Sequence, residues 1–227
     1  GLPGRHTRFK QTEIGEVPEP WAILRLDQLV ASGPSNGRSP PSRTTPPGVR
    51  TFSIAAIRNG RVNIHDNLKY TELGIEETAK FVLESGDILI VRGNGNPDLV
   101  GKCGLVANPP ADCIYPDILM RIRLREDTLS PGLFVSIWNS DLIHKQILDR
   151  AKTTNGTYKI NGEDVRSIVL PVPPADEQHL LSNVLGGLAD AYQVYEEKLL
   201  GLAAAKSALS SALLTGEIRV QPDEASP

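Results

Sequence analysis

Residues 175–216 read ADEQHLLSNVLGGLADAYQVYEEKLLGLAAAKSALSSALLTG and contain no proline. Apolar side chains recur every seven residues in two ladders: Leu181, Leu188, Tyr195, Leu202 and Leu209 form one, and Leu185, Tyr192, Leu199, Lys206 and Leu213 form the other. This a/d pattern predicts one long helix with a single apolar seam. Acidic residues at 176 and 177 suit its N-terminus, and Gly216 suits its end. At about 1.5 Å per residue, such a helix is roughly 60 Å long.

The seam of this helix predicts a partner, because a small domain cannot cover so long an apolar stripe; a helix folded back over its own domain is the alternative. If two copies pair antiparallel about residue 197, residue i faces roughly 394 minus i, so Lys198 meets Glu196. A parallel pair would stack Lys198 and Lys206 on their own copies, which is repulsive. The predicted dimerisation residues are therefore Leu181, Leu185, Leu188, Tyr192, Tyr195, Lys198, Leu199, Leu202, Leu209 and Leu213.

The residues before the helix predict a body of mixed α/β (α+β) structure. Short runs rich in β-branched and aliphatic residues predict strands at 49–57, 59–62, 68–73, 86–93, 102–108, 117–124 and 165–174. Helical spacing occurs at 76–83 and 134–151, residues 32–48 predict a loop, and residues 153–161 predict a polar turn. We therefore divide the chain into a body, residues 1–172, and a helical region, residues 173–227.

Charge is distributed unevenly along the chain. The net charge is −3, yet residues 1–69 hold ten Lys and Arg against five acids, and residues 163–227 hold four against ten. A basic N-terminal region and an acidic C-terminal region are typical of a protein in which one region faces a polyanion and the other is a scaffold. Two cysteines in apolar contexts predict reduced, partly buried thiols and a cytoplasmic protein. No apolar run is long enough to predict a membrane span.

Motifs that would carry catalysis are incomplete. Gly101-Lys102 lacks the glycine five positions earlier and the following Ser or Thr of a nucleotide-binding loop. Residues 108–112, NPPAD, approach the Asn-Pro-Pro-aromatic motif of amino-methyltransferases, but Ala111 takes the aromatic position. The acidic-x-Lys triplet of a nuclease occurs only at 196–198, inside the heptad helix. The four histidines lack the spacing of metal ligands. We expect no catalytic residue, metal or cofactor.

Three polar loops that contain glycine predict recognition of nucleic acid instead. Glycine permits close approach of the backbone, Arg and Lys suit phosphate or guanine, and Asn can bridge adenine. The predicted DNA-binding residues are Arg58, Asn59, Arg61, Arg92, Asn94, Asn96, Lys102, Lys152, Thr153, Thr154, Asn155, Tyr158 and Lys159. A surface turn is the alternative interpretation of each loop alone.

Ordered motifs along nearly the whole chain resemble the DNA-specificity (S) subunit of type I restriction-modification systems. They are FKQTEIGEVPEPW (9–21), GDILIVRGNGNPDLVGKCGLV (86–106), AKTTNGTYKI (151–160), LPVPPADEQ (170–178) and LLTGEIRV (213–220). The resemblance implies a mixed α/β target-recognition domain, residues 1–172, followed by a long conserved-region helix that forms an antiparallel coiled coil. That family usually carries two such units, whereas this sequence carries one, so a half-length subunit that dimerises and a piece of a longer one are both open.

The resemblance also implies the function and partners. We expect a non-catalytic subunit that binds double-stranded DNA, docks a modification (methyltransferase) subunit, and is joined indirectly by the restriction subunit. Homodimerisation through the helix and the absence of a membrane contact complete this expectation. A coiled-coil adaptor whose body binds protein or peptide is the alternative, and a nucleotide-dependent enzyme is a third.

Overall fold

The computed structural model describes residues 6–154 and 156–219, which divide into two compact units between Asn183 and Val184. The strands are β1 Phe9–Thr12, β2 Gly15–Pro18, β3 Ala22–Arg25, β4 Val30–Asn36, β5 Ser42–Arg43, β6 Val49–Phe52, β7 Ile57–Arg58, β8 Arg61–Val62, β9 Leu68–Thr71, β10 Ile88–Val91, β11 Gly93–Asn94, β12 Cys103–Leu105, β13 Leu119–Leu124, β14 Lys152–Thr154, β15 Thr157–Lys159 and β16 Val169–Val172. The helices are α1 Leu26–Leu29, α2 Ile75–Thr78, α3 Pro131–Trp138, α4 Asp141–Arg150, α5 Gly162–Arg166 and α6 Ala175–Leu214. This is the predicted mixed α/β body followed by one long helix.

A six-stranded sheet in the order β4-β13-β10-β12-β8-β7 forms the centre of the first unit. All four residues of β10 are buried, because β10 lies between β13 and β12 and is covered on both faces. Phe52, Leu89, Val106, Tyr115 and Leu119 belong to the core cluster on this sheet. The strand predicted at 86–93 is therefore the central strand of the body.

Helices α3 and α4 replace the one helix whose spacing runs through residues 134–151. Asn139 ends α3, and Ser140 precedes α4 with extended backbone. Phe134 and Trp138, one turn apart in α3, are buried and stack with ring centroids 5.4 Å apart, and Ile143 and Ile147 of α4 are also buried. One uninterrupted helix is therefore wrong; these four apolar positions face the core, whereas Leu142 is exposed.

The loop predicted at 32–48 is wrong over its first part. Residues Val30–Asn36 form β4, an edge strand that pairs with β13 through an irregular register. Pro34 is tolerated there because an edge strand need not donate every backbone hydrogen bond. Gly33 supplies a left-handed φ of 89°, and its Cα lies so close to the Arg121 carbonyl that a Cβ would come within 2.3 Å.

A buried ion pair ties β10 to β13. Asp87 is 1% exposed and accepts hydrogen bonds from the Arg123 guanidinium and, at 2.9 Å, from the Glu84 backbone N–H. Its Oδ2 also lies 3.7 Å from Arg121 Nη1. Removal of Asp87 would leave Arg121 and the Glu84 N–H without this carboxylate, and Arg123 would keep only the exposed carboxylate of Glu84, at 3.0 Å. Loss of a buried carboxylate destabilises a fold far more than loss of an exposed pair.

We expect Asp87→Ala to lower the free energy of unfolding by about 3 kcal/mol, because Arg123 then has no buried carboxylate to bind. Urea denaturation followed by circular dichroism measures this. The control is Glu72→Ala, which removes the exposed ion pair with Arg43 (3.0 Å) and is expected to cost less than about 1 kcal/mol. Equal costs for the two variants would contradict the structural role of Asp87.

Helix α6 runs from Ala175 to Leu214, close to the predicted 175–216, and Gly216 follows it with a left-handed φ of 79°. Its first two turns belong to the first unit. There Gln178 donates to the carbonyls of Thr128 and Pro173, and Trp21 Nε1 donates to Glu177 at 2.8 Å. Among the described residues, no helix is long and apolar enough to cross a membrane.

The seam of α6 is exposed along most of its length. Leu199 is 65% exposed and Leu202 59%, and Leu188, Tyr192, Tyr195 and Leu209 are exposed as well. Monomeric proteins rarely leave so continuous an apolar stripe in water. The compact-unit boundary lies inside α6, after the boundary predicted at 172 and 173, so the domain division remains a prediction.

Candidate nucleic-acid interface

Two of the three predicted recognition loops come together in a three-stranded sheet of order β11-β15-β14. Gly93 pairs with Lys159, and Asn94 pairs with Tyr158. Residues 152–159, which overlap the polar turn predicted at 153–161, are thus a β-hairpin whose second strand pairs with the loop after β10. Segments about 60 residues apart in sequence form one small polar surface, which we name the recognition sheet (residues 93–94, 152–154 and 157–159).

Pairing in the recognition sheet sorts its side chains onto two faces. Directly opposed residues share a face, and successive residues alternate. One row is therefore Gly93, Lys159 and Lys152, and the row on the other face is Asn94, Tyr158 and Thr153. Both lysines are exposed, whereas Asn94 and Tyr158 are half-buried. The lysine row is accordingly the more open face of the sheet.

Lys152 and Lys159 form a like-charge pair directly across two strands. Such a pair is destabilising unless an anion is shared between its members. Among the described residues, neither ammonium group has an ion-pair or hydrogen-bond partner. Gly93, the third member of the row, has no side chain, and a Cβ there would lie 3.0 Å from Lys159 Cγ. The two exposed ammonium groups of this row are therefore available to bind an anion.

The tip of the loop after β11 is ordered by its own asparagines. Asn94 Oδ1 accepts from the Asn96 backbone N–H at 2.9 Å, and Asn96 Oδ1 accepts from Asp98 N–H at 3.0 Å. A Cβ on Gly95 would be 3.9 Å from the Gly156 carbonyl, so the two tips are neighbours. Both carboxamide oxygens thus accept a backbone N–H of the loop, and neither Nδ2 group has a hydrogen-bond partner among the described residues. Two-point bridging of adenine by either side chain stays a prediction.

The remaining predicted residues near the sheet differ in accessibility. Arg92 is half-buried; its N–H donates to the Ile118 carbonyl, and its carbonyl accepts from Ile160 N–H, both within 2.9 Å. Within the described part of the chain, its guanidinium has no hydrogen-bond partner. Thr153 is exposed and Thr154 is the last residue of β14. Asn155 lies outside the described residues.

The third predicted loop, Arg58–Arg61, is a tight hairpin turn on the edge of the six-stranded sheet. Asn59 and Gly60 both have left-handed φ, 50° and 74°, which are the values of a two-residue type I′ turn. Arg58 Nε donates to the Ala55 carbonyl at 3.1 Å. This turn belongs to a different sheet from the other two loops, and strand β12 connects them, since Leu105 pairs with Arg61.

Lys102 has a structural contact that accounts for its position. Its Nζ donates to the Asn139 carbonyl at 3.3 Å, at the C-terminal end of α3, and the side chain is half-buried. A cation near the last carbonyls of a helix also favours the helix dipole. A DNA contact by Lys102 stays a prediction.

The family model for the type I restriction modification DNA specificity domain matches residues 18–195, which include the recognition sheet, the turn at 58–61 and the first half of α6. The chain belongs to that family. This match confirms the family that the motifs at 86–106, 151–160 and 170–178 predicted.

Curated relatives of this specificity domain are type I specificity subunits. It is 29% identical over 192 residues to the type I restriction enzyme EcoKI specificity subunit of Escherichia coli (strain K12), covering 78% of this chain and 41% of that protein. It is 26% identical over 215 residues to the putative type I restriction enzyme MjaX specificity subunit of Methanocaldococcus jannaschii, covering 93% and 49%. The specificity domain thus spans about half the length of the curated relatives it matches.

Two solved structures share the fold of this specificity domain. The HsdS subunit from Thermoanaerobacter tengcongensis matches with a TM-score of 0.55 and 19% identity, covering 93% of this chain and 52% of that chain. A chain from a structure on complex assembly and conformational transition of the type I R-M system matches with a TM-score of 0.57 and 19% identity, covering 91% and 47%. At this identity the likeness concerns the fold alone.

Sequence reasoning missed the residues beneath the recognition loops of the specificity domain. Both ring nitrogens of His144 are buried without a hydrogen-bond partner among the described residues. Burial, and then the nearby Lys102, lower the pKa of His144, so the imidazole is neutral at pH 7. Asn139, which ends α3, bonds to strand β12. Neither residue lies in a motif, so no local signal identified it.

The two thiols of the specificity domain are free and buried, as expected. Burial raises the pKa of Cys113 to about 12, and burial raises the pKa of Cys103 still further. Both therefore remain protonated at neutral pH and are poor nucleophiles. Within residues 6–154 and 156–219, no three metal-ligating side chains converge.

Proposed function

We propose that this chain recognises DNA sequence as the specificity part of a type I restriction-modification complex, without catalysis of its own, and directs methylation and cleavage by partner subunits. Membership of the DNA specificity family and the names of the curated relatives support this. The observation that carries the proposal for this chain is the opposed pair Lys152 and Lys159, exposed and without an acidic partner in the described structure.

Phosphate is the anion that best fits the lysine row. Lysine is a point charge that binds phosphate without strict geometry, and phosphate contacts position a protein on a duplex without reading its sequence. Asn94, Asn96 and the glycines beside them lie at the end of the same sheet. Their amide N–H groups are donors that suit base acceptors such as guanine O6 and N7. The lysine row would then hold the DNA backbone while the tips approach the base edges.

We also propose that the α6 seam binds a second long helix, and that a second copy of this chain, antiparallel to the first, provides it. The exposure of Leu199, Leu202 and the rest of the seam supports a partner. Two copies would together approach the length of the curated relatives. Lys206 is the one charge in the seam; an antiparallel pair centred on residue 197 places it opposite Leu188 rather than against its own copy.

The paired helices also form the surface on which we propose that the modification subunit docks, with the restriction subunit joining through it. Beyond Lys206, residues 207–216 of each helix carry no charge on any face. A helix that is apolar or small all round is typically buried on more than one side. A twin on the seam would leave the remaining faces of this segment for another subunit.

Binding of a random 30-base-pair duplex pool, followed by fluorescence anisotropy at several salt concentrations, tests the proposed function. We expect affinity to fall steeply with salt, with a slope of about −0.9 for every phosphate neutralised and thus a slope near −2 or steeper. A coiled-coil adaptor would show no binding of the duplex, or binding that does not depend on salt. Either result would exclude the DNA surface.

A further inference from the structure

The junction between α3 and α4 (residues 138–140), which we call the corner, is hydrogen-bonded to the start of strand β12 through the side chain of Asn139. The Asn139 carboxamide makes two hydrogen bonds to the Cys103 backbone: its Oδ1 accepts from Cys103 N–H at 2.9 Å, and its Nδ2 donates to the Cys103 carbonyl at 3.0 Å. Cys103 is 1% exposed, so water cannot replace these bonds. Asn139 thus pairs with β12 much as a residue of a neighbouring strand would.

Adjacent contacts join the same corner to the loop that contains Arg92, Asn94 and Asn96. Trp138, which is buried, donates from Nε1 to the Gly101 carbonyl at 2.7 Å. Gly101 N–H in turn donates to the Val91 carbonyl at 2.8 Å, immediately before Arg92. The corner thus holds Gly101 directly, at the point where the loop returns to β12, and holds Val91, where the loop leaves β10, only through Gly101.

Strand β12 carries the turn Arg58–Arg61 on its other side. Leu105 N–H donates to the Gly60 carbonyl at 2.9 Å, and Leu105 pairs with Arg61. The corner also touches this turn directly, because a Cβ on Gly60 would lie 2.8 Å from Val135 Cγ1 and 3.6 Å from Asn139 Nδ2. One side chain, Asn139, is therefore in contact with the supports of two recognition loops that lie in different sheets.

We propose that Asn139 is a positioning residue, which fixes the separation between the 58–61 turn and the 92–96 loop without contacting DNA. The effect of Asn139 on DNA recognition rests on the proposed function. Its effect on the positions of the two loops is independent of that function. Recognition of base edges requires donors held within a few tenths of an ångström, because a hydrogen bond weakens steeply outside its distance and angle range. Loss of the paired carboxamide bonds releases β12, and with it both loops.

Hydrogen exchange of the full chain tests the positioning directly. Asn139→Ala is expected to speed amide exchange about tenfold or more at residues 58–61 and 101–105, because their support opens locally. Amides of β4 and of the hairpin at 152–159, neither of which pairs with β12, should change by less than about twofold. Uniform acceleration over the whole body would show a merely structural residue, and no acceleration at residues 58–61 and 101–105 would show that other contacts hold them. Both results overturn the proposal.

Binding of two duplexes gives the second measurement: one selected by the wild-type chain from a random pool, and its scrambled version. Asn139→Ala should lower the ratio of their affinities about tenfold and leave the salt slope unchanged, because no phosphate contact is removed. Trp138→Phe, which keeps an aromatic ring but removes the indole N–H that bonds to Gly101 and part of the buried ring volume, should speed exchange in the 92–102 loop more than in the 58–61 turn. An unchanged affinity ratio in Asn139→Ala would overturn the role in recognition. Absence of salt-dependent DNA binding by the wild-type chain would instead refute the proposed function. The hydrogen-exchange pattern would still show whether Asn139 positions the two loops.

Discussion

Leu199→Asp is expected to abolish the self-association that we propose for α6 at micromolar concentration. Leu199 lies in the second ladder of the α6 seam and is 65% exposed in the single chain. In a dimer, aspartate at this position would bury a carboxylate in an apolar layer once in each copy, so self-association should weaken at least about 100-fold. Analytical ultracentrifugation of both proteins over a concentration series measures this.

Leu200→Asp is the matched control. Leu200 is the next residue, is 72% exposed, and lies off the seam, so the same change of charge should leave the proposed dimer intact. A monomeric wild-type chain over the whole series would refute pairing with a second copy. Equal weakening by both variants would show that the contact does not follow the heptad ladders.

The double variant Lys152→Ala/Lys159→Ala is expected to weaken duplex binding about 50-fold and to reduce the magnitude of the salt slope by about 1.8, since each lost phosphate contact removes about 0.9. The loss should be the same for selected and scrambled duplexes, because phosphate contacts do not read sequence. Anisotropy titrations at four salt concentrations give both quantities.

Arg92→Ala should weaken binding as well, by about tenfold, and lower discrimination if the guanidinium reads guanine.

Lys145→Ala supplies the comparison for charge alone. Lys145 is an exposed lysine of α4 outside the recognition sheet, so its removal should leave the affinity within about twofold. If Lys145→Ala and the lysine-row variant changed affinity and slope alike, the DNA surface would not be the recognition sheet. Circular dichroism of each variant establishes that the fold is retained.

Features that depend on local pattern were predictable from the sequence. The heptad ladders predicted α6 to within two residues of its end, and the aliphatic run around Ile88–Val91 predicted the central strand. Apolar periodicity also identified Phe134, Trp138, Ile143 and Ile147 as core residues. These patterns are readable because burial of one face imposes a fixed spacing on neighbouring residues.

Features that depend on distant pairing were not predictable. Nothing around Gly93 or Lys159 indicates that they are partners, so the two loops were known as separate clusters and not as one sheet. The corner at Asn139 and Ser140 did carry a signal, because Ser before Asp is a common helix start, yet continuous apolar spacing across it favoured one helix. The role of Asn139 arises only from its contact with Cys103, 36 residues away.

The arrangement of the recognition sheet has a consequence for how new target preferences arise. The tips around Asn94–Asn96 and Gly156 end side by side, while the lysine row and the strands behind them stay in place. In the proposed DNA complex, substitutions confined to the tips would alter which bases are accepted without cost to the core or to attachment to the backbone of the duplex. Exchange of a few residues at two neighbouring tips would then diversify the targets, and chimaeras that swap both tips together are expected to inherit the donor's preference.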